Sequence, residues 1–163
     1  MKRIFLIFTM LMTISIGMYA QKPTTTKPSV AQLVAVATSS DPLAKFSQLA
    51  KANAYRGVEA ATTYGVKSSY RKALKGGQSV EMTISLYDID TFEYLFITTY
   101  NKNIVSSWEE QIKRLGYHYD NHVTETGLRG MNLETWYYSK PAKPKIKIQY
   151  SEFGGEYVLT IGE

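Results

Sequence analysis

Residues 80–100 read Val80-Glu81-Met82-Thr83-Ile84-Ser85-Leu86-Tyr87, then Asp88-Ile89-Asp90-Thr91, then Phe92-Glu93-Tyr94-Leu95-Phe96-Ile97-Thr98-Thr99-Tyr100. In the first run Val80, Met82, Ile84 and Leu86 alternate with Glu81, Thr83, Ser85 and Tyr87, the period of two that marks a strand buried on one face. The last run is rich in aromatic and β-branched residues, which fit a pleated surface, and the segment between them reads as a turn. Two consecutive strands thus occupy the middle of the chain. A lone hairpin is not stable in water, so further strands and a covering layer must come from the flanks.

On the C-terminal side, Ser106-Ser107-Trp108-Glu109 matches a capping box, in which Ser and Glu satisfy exposed backbone N–H groups reciprocally. Ile104, Trp108, Ile112 and Leu115 form a stripe at helical spacing, and Gly116 suits a left-handed cap. Strands follow at 117–124 and 132–139 around a turn at 127–130. A last hairpin joins 145–150 to 156–161 through Gly154-Gly155. On the N-terminal side, Asp41-Pro42 starts a helix, with Asp as the cap and Pro at the first helical position. Leu43, Phe46, Leu49, Ala50 and Ala54 share its buried face. Residues 58–75 fit either strands turning at Gly65 or a helix running on to Lys75, and Gly76-Gly77 breaks either one. Residues 30–37 fit a short helix or a docked strand.

A constant shift of 62 positions places Phe46 on Trp108, Tyr55 on Tyr117, Gly65 on Gly127 and Ile84 on Ile146. Shared element order and shared anchors predict an internal repeat. The fold class expected is α+β: two αβββ repeats over 41–102 and 103–163 forming one antiparallel sheet, with the helices packed on one face. This arrangement resembles the tandem-repeat fold of the β-lactamase inhibitor protein family, over about residues 41–163 and by architecture rather than by any motif. The resemblance implies a concave, aromatic sheet face that grips another protein. No contact residue of that family transfers to this sequence, because no motif matches.

The first twenty residues read as an export signal: Lys2 and Arg3, an apolar run from Ile4 to Ile16, and a small residue, Ala20, at the cleavage point. The run is shorter than the roughly 20 apolar residues that span a bilayer, so removal near Ala20 is favoured over a permanent anchor. No Cys follows it for lipid attachment. Export to a bacterial periplasm or cell surface, or secretion, is therefore expected, and with it no nucleic-acid partner and no membrane span in the mature chain. Residues 21–29 are polar and proline-bearing, so 21–40 is expected to be a flexible tether. Residues 21–79 carry nine basic and two acidic groups, a charge of +7, whereas 80–163 carry eight and twelve, a charge of −4. A basic half attracts acidic partners or anionic glycans, unless the two halves offset each other within one fold.

With no Cys and only two His among 163 residues, thiol catalysis, zinc ribbons and iron–sulfur clusters are excluded. His118, Asp120 and His122 alternate on a predicted strand and would share one face. Ligands drawn from a single strand spread too far to close a metal site, so a solvated polar face is the better reading. Ser69-Tyr70-Arg71-Lys72 has the Ser-x-x-Lys spacing of penicillin-recognising enzymes but none of their other elements. Asp88 and Asp90 lack the glycine and closing Glu of a calcium loop. The expectation is no enzyme, no catalytic residues, no cofactor and no metal. What remains is a surplus of rings on strands. Tyr and Trp bury large area at low entropic cost and keep a polar tip, which suits partner recognition. Tyr87, Tyr119, Trp136, Tyr137, Tyr138 and Tyr150 are the candidate partner-binding residues, for another envelope protein or else for a glycan.

Overall fold

The computed structural model describes residues 27–58, 66–74, 79–87, 91–126 and 130–162. The export signal, the strand expected at 59–63, and the turns at Gly65, Gly76-Gly77, 88–90 and 127–129 lie outside the described residues. The elements are α1 (Val30–Ala37), α2 (Pro42–Ala52), β1 (Arg56–Val58), β2 (Val66–Ala73), β3 (Ser79–Leu86), β4 (Phe92–Thr99), α3 (Lys102–Arg114), β5 (His118–Thr126), β6 (Asn132–Ser139), β7 (Ile146–Ser151) and β8 (Glu156–Gly162).

All eight strands join one antiparallel sheet in the order β1-β2-β3-β4-β8-β7-β6-β5. The chain lays four strands inward from one edge, crosses over α3, and lays four more inward from the other. The final strands of the two halves, β4 and β8, meet at the centre. The fold is α+β, with helices packed against the sheet. Among the described residues each half contributes four strands, β1–β4 and β5–β8, where an αβββ unit has three.

The alternation in 80–86 is borne out. Val80, Met82, Ile84 and Leu86 are buried, and pairing sets Met82 and Ile84 beside Ile97 and Leu95 of β4. Those in turn sit beside Leu159 and Ile161 of β8, then Ile148 and Ile146 of β7. This apolar band is covered by Phe46 and Ala50 from α2, Trp108 and Ile112 from α3, and Val30, Leu33 and Val36 from α1. Each such side chain contributes about 1.5–3 kcal/mol by leaving water.

Residues 30–37 are therefore not tether. They form a helix capped by a reciprocal Ser29–Gln32 box, with Val30 N–H donating to Gln111 Oε1 at 2.9 Å. Its apolar face lies over the central strands, where a tether would leave the middle of the core wet. The second revision concerns α3. It begins at Lys102 with Asn101 as the cap, and the Ser106 hydroxyl donates to the Lys102 carbonyl inside the helix. The Ser-Ser-Trp-Glu pattern has capping chemistry, but the apolar stripe runs through it, so the helix starts one turn earlier.

Helices α2 and α3 end alike. Ala54 at φ 60 and Gly116 at φ 79 turn left-handed, and the next residues, Tyr55 and Tyr117, donate N–H to Ala50 and Ile112. In each case a lysine caps the last carbonyls: Lys72 to Asn53 O at 3.1 Å, and Lys140 to Leu115 O at 2.6 Å. Cations suit a helix C-terminus, where carbonyls leave partial negative charge. The central β4–β8 pairing needs a glycine at its end. A Cβ on Gly162 would meet Glu93 O at 2.3 Å and Tyr94 Cα at 2.8 Å, so only glycine lets these backbones approach.

Candidate functional site

The sheet face opposite the core carries no helix among the described residues, and its larger side chains are left accessible. Strand pairing orders this face into rows. One runs Thr83, Phe96, Thr160, Lys147, Tyr137 across β3, β4, β8, β7 and β6. The next runs Thr98, Val158, Gln149, Thr135, with Glu81 joined to it by its backbone N–H, which donates to Thr98 Oγ1 at 2.9 Å. Thr83, Thr98 and Thr160 are themselves buried, so the larger residues beside them form the accessible surface.

At the β4–β8 junction these rows enclose an open cleft of about 610 Å³. Tyr94, Phe96 and Tyr100 of the β4 segment line it, with Glu81, Glu156 and Lys147 among the polar groups. The Tyr94 and Phe96 rings lie 19° from parallel with centroids 6.4 Å apart. Glu81 is held in place by the Thr83 hydroxyl at 2.9 Å and by Arg71 at 3.4 Å, while Ser69 and Thr83 hydroxyls meet at 2.8 Å. Burial and then the neighbouring Glu156 carboxylate push the Tyr100 phenol up, so it stays a neutral donor at physiological pH.

The six residues singled out from sequence do not gather into one surface. Tyr137 alone lies on the open face, beside Lys147. Tyr119, Trp136, Tyr138 and Tyr150 point to the helix side. Tyr138 is 3 % exposed and forms part of the core, with Tyr119 packed edge-on against it at 5.8 Å. Trp136 stacks on His122 at 4.8 Å, and Tyr150 packs on Tyr157 at 4.6 Å, which are cross-strand contacts that flank the core. Tyr87 is exposed at the far end of β3, next to a separate cleft of about 470 Å³ that includes Phe92 and Lys143. Tyr94, Phe96 and Tyr100 are the more informative rings. Leu95 and Ile97 between them belong to the core, so the alternation already sends 94 and 96 to the other face.

His118, Asp120 and His122 do not share a face. Tyr119 pairs with Tyr138 and Asn121 with Tyr137, so Asp120 bulges out of register. A bulge inverts the alternation beyond it. His118 consequently pairs with Ser139 on the open face and His122 with Trp136 on the helix side. Among the described residues no group of three or more His, Asp or Glu side chains is placed to hold a metal ion. Ser69 and Lys72 also part, Ser69 toward Thr83 on the open face and Lys72 toward α2. No described helix is long and apolar enough to cross a membrane.

Comparison with protein-family models, with curated protein sequences and with solved structures finds no match to this chain. Its function must be argued from its own surface.

Three buried or half-buried groups give the fold a distinct pH response. Desolvation, then the nearby Lys72 charge, lowers Lys27 from 10.5 to about 8. Burial raises Tyr55 from 10.0 to about 12. Burial, with Glu109 and Tyr119 adding, raises Tyr138 from 10.0 to about 12. Between about pH 8 and 10.5 the unfolded chain holds the Lys27 proton more tightly than the folded one, so stability rises with pH. From pH 10 to about 12 the folded chain holds the two tyrosine protons more tightly, so stability falls. Urea midpoints measured from pH 7 to 11.5 should peak near pH 10, and Lys27→Met should flatten the rising limb. A midpoint that falls steadily from pH 8 would contradict this.

Proposed function

We propose that the chain is an exported, non-enzymatic binding module that receives a segment of another envelope protein in the cleft across the β4–β8 junction. The observation that carries this reading is the placement of Tyr94, Phe96 and Tyr100 on a helix-free sheet face, beside fixed carboxylates and an ammonium. Half-buried rings next to charged groups offer both apolar area and orientation to a docking loop, the combination typical of interface centres. The sequence of residues 1–20 supports export. The palindromic strand order and the matched ends of α2 and α3 support reading the halves as repeats. The architectural likeness to β-lactamase inhibitor proteins agrees with a grip by an open sheet face, though likeness of fold alone assigns no partner.

One observation favours a glycan as the second reading: near-parallel rings at Tyr94 and Phe96 lie beside the Gln149 amide and the Glu81 and Glu156 carboxylates, groups suited to sugar faces and hydroxyls. The test uses mature chain 21–163 immobilised against an envelope extract, with Tyr94→Ala/Phe96→Ala and Tyr119→Ala chains in parallel. A stoichiometric protein retained by wild type and by Tyr119→Ala, but reduced at least tenfold by the double variant, supports the proposal. Equal retention by all three overturns the cleft. Retention of carbohydrate instead of protein turns the reading to the glycan.

A further inference from the structure

The cleft at the β4–β8 junction has an acidic end and a basic end. Glu81 of β3 is tied to Thr98 of β4, and Glu156 opens β8 one step before the Tyr157–Thr99 pair. The two carboxylates therefore flank the Tyr100 end of β4 from opposite sides, and both line the cleft. Lys147, on the cleft wall as well, pairs with Thr160, four residues along β8 from Glu156. At a rise of about 3.3 Å per residue, these two points of backbone stand about 13 Å apart. Among the described residues Glu156 has no cation within 4.0 Å, and Glu81 has only Arg71 at 3.4 Å, a side chain 53 % exposed. An ion pair that exposed contributes little.

We propose that the acidic end of this cleft takes a cationic side chain, arginine or lysine, from the docking segment; the inference rests on reading the cleft as the receiver of such a segment. Any occupant strips water from Glu81 and Glu156, which costs free energy unless a cation enters with it. A neutral loop or a neutral sugar would cover Glu156 without a counter-ion. The rings favour the same guest. Tyr94, Phe96 and Tyr100 are half-buried, and the face of an aromatic ring attracts an ammonium or guanidinium. Arginine suits both features at once, because its planar fork stacks on a ring while its N–H groups donate to a carboxylate. Glu81 is already held for such a contact, since the Thr83 hydroxyl donates to its Oε1 at 2.9 Å. Lys147 stands in the row of Phe96 and Tyr137 and repels a second cation. The segment is thereby oriented, with its basic residue toward Tyr100.

The experiment is an NMR titration of isotope-labelled mature chain 21–163 at pH 7 and constant ionic strength. The probes are acetyl-Gly-Arg-Gly-amide and the same peptide with citrulline, which keeps the shape of arginine and lacks its charge. The arginine peptide should shift the amides of Tyr94, Phe96 and Tyr100 saturably, with a Kd lower than that of the citrulline peptide by about fivefold or more. A chain carrying Glu81→Gln and Glu156→Gln should lose that preference, and Glu125→Gln, exposed on β5, should keep it. The comparison of the two peptides is made on wild type, so it stands whether or not the variants fold. Equal shifts by both peptides, shifts confined to residues outside the cleft, or none at all overturn the cationic anchor. Its failure is distinct from failure of the underlying reading. If the anchor fails while Tyr94→Ala/Phe96→Ala still loses the captured envelope protein, the cleft receives a segment held by its rings alone; equal capture by wild type and that double variant removes the cleft itself.

Discussion

A chain that begins at Asp41 is expected not to fold, although it keeps both four-strand halves and the whole sheet. The missing segment contains α1, whose Val30, Leu33 and Val36 are at most 1 % exposed. Their burial contributes roughly 5–9 kcal/mol together, at about 1.5–3 kcal/mol each. Removing α1 also uncovers Leu95, Ile97, Leu159 and Ile161, because α1 packs over β4 and β8 at the centre of the sheet. Against a net stability of about 5–15 kcal/mol for a domain of ordinary size, that loss is decisive. Circular dichroism and thermal melts of chains 21–163 and 41–163 make the comparison. Cooperative unfolding of the shorter chain within a few degrees of the longer would mean that α1 only decorates a core that stands without it.

How far the sequence discloses this fold depends on whether local pattern and tertiary contact agree. In 79–86 and 92–99 they do: side chains alternate, neighbours on both sides are strands, and the core face follows from Leu95 and Ile97. Around 30–37 the local pattern is apolar all along, so helix and strand fit it equally, and only contacts with β4, β8, α2 and α3 decide. The role of Asp120 is legible nowhere in the sequence. A bulge arises from the register of β5 against β6, and one extra residue sends His118 and His122 to opposite sides. The same limit governs the aromatic residues. Strand propensity marks Trp136, Tyr138 and Tyr150 as sheet residues, yet their side of the sheet depends on a pairing many residues away. Tyr94 and Phe96 are decidable, because the residues between and beyond them, Leu95 and Ile97, are unmistakably core.

Trp108→Ala is expected to cost about 3–5 kcal/mol, the range for deleting a large ring from a packed core. For a mature chain of this size that is a fall in Tm of roughly 10–15 °C. Trp108 is 1 % exposed and sits on α3 one turn from Val105 and Ile112, so no neighbour is free to fill the space without moving the helix. Phe46 holds the corresponding place on α2, fully buried and edge-on to Tyr70 at 5.6 Å. Phe46→Ala should therefore destabilise by a similar amount, since each helix anchors its own half with one ring. Helix α1 packs against both α2 and α3 and stands between the two anchors. Both rings belong to the one core cluster with α1 against both helices, so the double variant should lose more than either single variant, and with it cooperative unfolding. A Phe46→Ala chain that melts within about 3 °C of wild type, beside a Trp108→Ala chain that collapses, would show instead that the second half folds as the core and the first half merely extends its sheet.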